Sequence, residues 1–182
     1  VAELTRPRLA TLAAELRAEL PRIDRTVEDL ALARPTRGPD GRDAAADTPG
    51  ATRRDPHDDR LRRYATAAVL DTFYTAIERV LERIARAFAT LPSGPAWHAD
   101  LLAQSAVDVR GVRPAVLDPG TASELRRFLG FRHRFRHLYL FDLQEDAMHP
   151  LCDEAPAVWA AARAQLEAFA SQLDEIARQL EP

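Results

Sequence analysis

Tyr64-Ala-Thr-Ala-Ala-Val-Leu-Asp-Thr-Phe-Tyr-Thr-Ala-Ile-Glu-Arg-Val-Leu-Glu-Arg-Ile-Ala-Arg-Ala-Phe88 is the stretch that decides the fold. Val69, Leu70, Phe73, Ile77, Val80, Leu81, Ile84 and Phe88 recur at threes and fours, so a helix gathers them on one broad apolar face. Asp58 and Asp59 suit the positive end of a helix dipole. Together these signals predict a helix from there to about Leu91, where Pro92-Ser93-Gly94-Pro95 stops it.

Toward the N-terminus, residues 3–33 read as helix, with Leu9, Leu12, Leu16, Leu20, Ile23, Val27 and Leu30 in one stripe. Pro21 predicts a kink or a fresh start inside it. Between the two helices, residues 34–57 hold proline, glycine and charge and almost nothing large and apolar. Such a segment buries too little surface to offset its ordering entropy, and a flexible loop is expected.

Toward the C-terminus, Trp97 to Val107 reads as a short helix, and Gly111 to Gly120 as a loop. Thr121, with Glu124 three residues on, predicts a capping box opening a fourth helix that runs to about Leu143. Met148-His149-Pro150 predicts a break, followed by a last helix from about Glu154 to Leu180. There is no strand alternation, no internal repeat and no glycine-rich phosphate loop. The expected architecture is all-α: an up-and-down bundle of about four to five helices, forming a single domain over 1–182.

Composition agrees. The chain has 182 residues and only 7 glycines, and 46% of it is apolar. That is enough length to bury a real core. With a net charge of -3, any anion binding has to come from a local cluster. All 25 basic residues are arginine, a bias that GC-rich coding explains without any function. The single Cys152 excludes an intrachain disulfide, a zinc ribbon and a Cys-x-x-Cys redox motif, and a reducing cytoplasm is the simplest compartment. No apolar run approaches the roughly 18 residues that would span a bilayer. Val1-Ala2-Glu3-Leu4 lacks the basic and apolar regions of a signal peptide.

One local cluster does concentrate charge. Phe131-Arg132-His133-Arg134-Phe135-Arg136-His137-Leu138-Tyr139 puts three arginines and two histidines into six positions. At about 100° per residue, Phe128, Phe131, Phe135 and Leu138 gather on the core side. Arg132, Arg136 and Tyr139 form a neighbouring stripe, His133 and His137 the next, and Arg134 points away. Arginine binds phosphate through a planar fork, and histidine moves protons near neutral pH. Attack of a ribose 2′-hydroxyl on its own phosphate needs a base, an acid and a cation, and this band supplies them without a metal or cofactor. The plainer readings are a solvated charged face, half of a metal site completed by His98 or His149, and a Tyr139 that is merely buried.

The pattern Arg132-x4-His137-x-Tyr139, late in a helical chain of this size, resembles the R-x4-H-x-Y motif of the HepT-like toxins, a branch of the HEPN superfamily of helical ribonucleases. Phe73 to Arg79, Leu81 to Ala85 and the Leu91-Pro92-Ser93-Gly94 turn into Trp97-His98 are similar to that family as well, so the likeness covers about residues 60–180. The resemblance implies a homodimer that cuts RNA without metal, with Arg132 and His137 as the catalytic pair at the dimer interface. It implies that Tyr139 is the residue modified with AMP by a nucleotidyltransferase antitoxin of the MntA type. His133 stands where the family often has asparagine, and Arg136 where many members are apolar; both are assigned to substrate positioning. The alternative expectation is a non-catalytic HEPN-like module that binds a nucleotide, an RNA or a protein partner.

Overall fold

The structure is a computed structural model that describes residues 5–33, 55–137 and 145–180. The described residues hold five helices: α1 (Arg6–Ala33), α2 (Pro56–Ala87), α3 (Trp97–Ser105), α4 (Pro119–His137) and α5 (Glu145–Gln179). The only β feature among them is an isolated bridge between Val109 and Arg113, so the all-α bundle expected from the periodicity is what forms.

Cross-helix contacts fix the direction of each neighbour. Arg17 meets Asp174 while Asp24 meets Arg163, so α1 and α5 run antiparallel. Arg83 meets Glu15 while Thr66 donates to the Ala33 carbonyl, so α1 and α2 do too. Arg136 and Arg132 meet Asp71 and Glu78 in turn, which makes α2 and α4 antiparallel, and Arg127–Glu154 with Asp118–Gln165 does the same for α4 and α5. Short α3 packs against both α2 and α4. One buried cluster draws on all five helices, including Leu16, Leu70, Phe73, Leu102, Phe128 and Leu166.

Three prolines fall inside helices, and at none of them does the helix end. Pro21 lies in α1, and Pro150 and Pro156 lie in α5. The expected break at Met148-His149-Pro150 therefore does not occur, and α5 starts at Glu145 rather than near Glu154. All three prolines are exposed. Each removes one backbone N–H donor from its helix. Burial of Met148, Leu151, Cys152 and Ala155 on the opposite side offsets the lost bond.

Two helix starts also move. The start of α2 is capped by Asp55, whose side chain accepts from the His57 amide, with Pro56 in the first turn, where a missing N–H does no harm. Positions 55–57 of the expected 34–57 loop thus belong to the helix start, and positions 34–54 lie outside the described residues. α4 is capped by Asp118 instead of Thr121: Asp118 Oδ1 accepts from the Thr121 amide at 2.9 Å and Oδ2 from its hydroxyl at 2.9 Å. These two bonds hold the Asp118 carboxyl below its usual range. α4 is described to His137; its expected continuation to about Leu143 lies outside the described residues.

Candidate functional site

Aromatic packing brings α4 onto α2. Phe73 and Phe128 meet edge to face at 5.2 Å between centroids, and Phe131 stacks on Phe135 at 5.9 Å. Such pairs add about 0.5–1.5 kcal/mol beyond the area they bury. Arg132 follows directly after buried Phe131, so the same packing draws its side chain into the seam, where only 9% of it remains exposed. This is deeper than the stripe beside the core face that the helical projection gives.

Opposite Arg132, α2 offers a polar stripe inside its apolar face. Asp71, Thr75 and Glu78 stand four and three residues apart, on one side of the helix. Arg132 Nε donates to Thr75 Oγ1 at 3.2 Å and lies 3.8 Å from Asp71 Oδ1, and Nη1 reaches Glu78 Oε2 at 3.1 Å. Glu78 is a carboxylate with 4% of its side chain exposed, and burial of this kind is tolerated only with charged partners. Arg136, one turn on, donates to both oxygens of Asp71 at 3.3 and 3.4 Å and stays 52% exposed.

The second partner of Glu78 comes from α3. His98 Nδ1 pairs with Glu78 Oε1. A carboxylate only accepts, so this contact places the imidazole proton on Nδ1. Arg132 Nη1 lies 3.3 Å from the same Nδ1; both are donors converging on one carboxylate, and neither bonds to the other. The Trp97 ring lies tilted over the His98 ring with centroids 3.8 Å apart, which fixes the imidazole plane. The His133 ring meets His98 edge to face at 5.6 Å.

Some atoms of the cluster remain open. Among the described residues, the enclosed side-chain polar atoms without a partner are Tyr74 Oη, Arg113 Nε and His149 Nε2. His98 Nε2 and Arg132 Nη2 have no protein partner among the described residues and are not enclosed, so both face solvent. Tyr74, between Phe73 and Thr75, is the opposite case: burial, then the nearby Glu78 charge, push its phenol well up, and it stays protonated.

The sequence-predicted residues divide as follows. Arg132 and Arg136 share the α2-facing stripe, His133 is exposed beside His98, and Arg134 is exposed and outside the cluster. His137 is the last described residue of α4, and its side chain lies outside the described residues, as does Tyr139. The polar stripe on α2 was missed from sequence, although its signal was present: Asp71, Thr75 and Glu78 interrupt an apolar face at helical spacing. His98 was singled out only as a possible metal ligand. Among the described residues no three His, Cys, Asp or Glu side chains converge to hold a metal ion, and His98 faces Glu78 and His133, not His149.

Elsewhere, a cleft of about 430 Å³ lies between α1 and α2, lined by Leu9, Leu12, Glu15, Arg83 and Arg86. Its carboxylate and guanidinium groups are exposed surface pairs, whereas the α2–α3–α4 cluster combines buried charge, two imidazoles and open nitrogens. The chemistry therefore favours the seam over the larger hollow.

No curated protein and no solved structure matches the chain. A family model described as HepT-like protein matches residues 65–173, from early α2 to the last turns of α5. That span is more than half of the chain and contains every member of the Asp71, Thr75, Glu78, His98 and Arg132 cluster. The chain belongs to the HepT-like family, within the HEPN superfamily of helical proteins.

Proposed function

We propose that this protein is a metal-independent endoribonuclease, the toxin of a toxin–antitoxin pair, working as a homodimer. The observation that carries this reading is the buried Glu78 carboxylate bridging Arg132 and His98 beneath an exposed His133 and Arg136. A buried ion cluster is poor value for stability, since apolar residues of the same volume usually serve as well or better. Charge held at such a seam, with nitrogens still open to solvent, fits chemistry on a phosphodiester.

In this reading the open Nη2 of Arg132 and the exposed Arg136 hold the scissile phosphate and stabilise its developing charge. His137 transfers a proton, and His133 helps to seat the substrate. The 2′-oxygen attacks phosphorus, the bond to the 5′-oxygen breaks, and a 2′,3′-cyclic phosphate and a 5′-hydroxyl result. A nucleotidyltransferase antitoxin is the partner, and AMP placed on Tyr139 would add bulk and negative charge beside the arginines.

The second reading, a non-catalytic binding module, draws on the same seam. The Arg132 charge is already balanced by Glu78 and Asp71, as it would be in a purely structural network. Cleavage of a labelled RNA by the purified protein decides between them. Wild type should cut, and the Arg132→Ala, His137→Ala double variant should not. Equal activity in both, or an inert wild type across several buffers, overturns the ribonuclease reading.

A further inference from the structure

We propose that His98 is the general base of this site, oriented by Glu78, and that the catalytic apparatus therefore includes a residue from α3 as well as the α4 motif. The proposal rests on the ribonuclease reading above and adds the group that accepts the proton of the 2′-hydroxyl.

Transesterification moves two protons. One leaves the 2′-hydroxyl as the O2′–P bond forms, and one reaches the 5′-oxygen as the P–O5′ bond breaks. A single imidazole does not accept and donate in the same instant, so a second group is needed. His98 meets the requirements of a base in turn. The carboxylate of Glu78 accepts a hydrogen bond from Nδ1–H, so in the neutral ring the Nε2 lone pair is the accepting site. Nε2 has no protein partner among the described residues and is not enclosed. The ring is 21% exposed, enough to meet a substrate, and its plane is held by Trp97.

Glu78 acts through His98 and is a positioning residue. Once Nε2 has taken the proton, the imidazolium is stabilised by a carboxylate that sits in a low-dielectric seam, the arrangement that makes a buried acid beside a histidine effective. Arg132 Nη1 shares that carboxylate and fixes its second oxygen, so the motif arginine also holds the dyad in place. The step balances: Nε2 gains the proton of the 2′-hydroxyl, the acid (His137 in the reading above) loses one to the 5′-oxygen, and exchange with water resets both.

A purely structural His98–Glu78 pair, filling the α2–α3 contact, is the competing account, and the experiment separates the two. The test uses the full chain as its native dimer. The first variant is His98→Asn, whose side-chain amide keeps a donor where Nδ1 stands but has no group to accept the proton. Its kcat should fall at least about 100-fold, with KM within about threefold and thermal unfolding close to wild type. Glu78→Gln keeps an acceptor and removes the charge; it should lose at least about tenfold in kcat, also without a KM change.

A substrate with a 5′-bridging sulfur then separates base from acid, because a thiolate leaves without needing a proton. That substrate should rescue His137→Ala and leave His98→Asn as impaired as before. A His98→Asn variant that cuts within about threefold of an active wild type overturns the base role alone, and so does its rescue by the sulfur substrate. An inert wild type overturns the ribonuclease reading, and the base role goes with it. Nitrogen-15 NMR of the His98 ring gives an arm independent of activity: a proton on Nδ1 at neutral pH supports the dyad, and a proton on Nε2 breaks it.

Discussion

The α1–α5 seam and the α2–α4 seam are both antiparallel helix pairs, and they handle charge in opposite ways. Along α1–α5 the core is apolar and the ion pairs ring it. Arg17 meets Asp174 at 2.7 Å with both side chains at least a third exposed, and Arg163 meets Asp24 at 3.1 Å near the surface. Exposed pairs of this kind contribute about 0–1 kcal/mol. Along α2–α4, Glu78 and Arg132 are buried between the helices. Apolar packing suffices to hold such a bundle together, so the charge cluster inside one of its seams is the place to test for a role other than cohesion.

The comparison breaks first where the packing is removed. Leu166→Ala, in the fully buried face of α5, should lower stability by about 4 kcal/mol in a denaturant titration, far more than any ion pair along the same seam. Next comes Glu78→Ala, which strands the buried Arg132 and should cost about 3 kcal/mol. The sharper version is the double variant Glu78→Leu, Arg132→Met. It replaces a buried pair by apolar volume, so it should recover wild-type stability or exceed it and, on the ribonuclease proposal, abolish RNA cleavage. A double variant as unstable as Glu78→Ala alone would mean that the charges hold the seam together after all.

On the other seam, Asp24→Ala removes the acceptor of the Trp159 Nε1 donor at 2.6 Å and of Arg163, and should cost about 1 kcal/mol. The smallest effect belongs to the α4 cap. Asp118 has its folded-state pKa lowered by the Thr121 amide and hydroxyl, so the cap's contribution is present in full above the ordinary carboxylate range and is lost as pH falls through the lowered value. Asp118→Ala should cost under about 1 kcal/mol at neutral pH, because the cap is exposed, and the difference from wild type should vanish in acid. Unfolding curves at neutral and acid pH check it.

Helices were legible in the sequence wherever one face stayed apolar for several turns, as from Val69 to Phe88. What failed was punctuation. Pro150 was read as a break because a proline removes a hydrogen bond. Whether that ends a helix depends on how much apolar surface the flanking turns bury, and a residue list does not state this until the core face is known. Thr121 was read as the cap because it begins a capping box, yet Asp118, three residues earlier, wins by accepting two bonds at once. At the site, the α4 stripe was legible because Arg132 and Arg136 share helical spacing. Its counterpart was not, because the link between Glu78 and His98 depends on how α3 folds back across α2.

The pairing of α1 with α5 bears on how the chain is made. α1 packs more extensively on α5 than on α2, and α5 is synthesised after the other four described helices. At about 5–20 residues per second, the stripe of Leu9, Leu16 and Ile23 waits on the order of 10 s for its main partner. Over that interval the nascent chain presents an uncovered apolar strip to chaperones and proteases. A ribosome stalled before α5 would leave that strip uncovered for as long as the stall lasts.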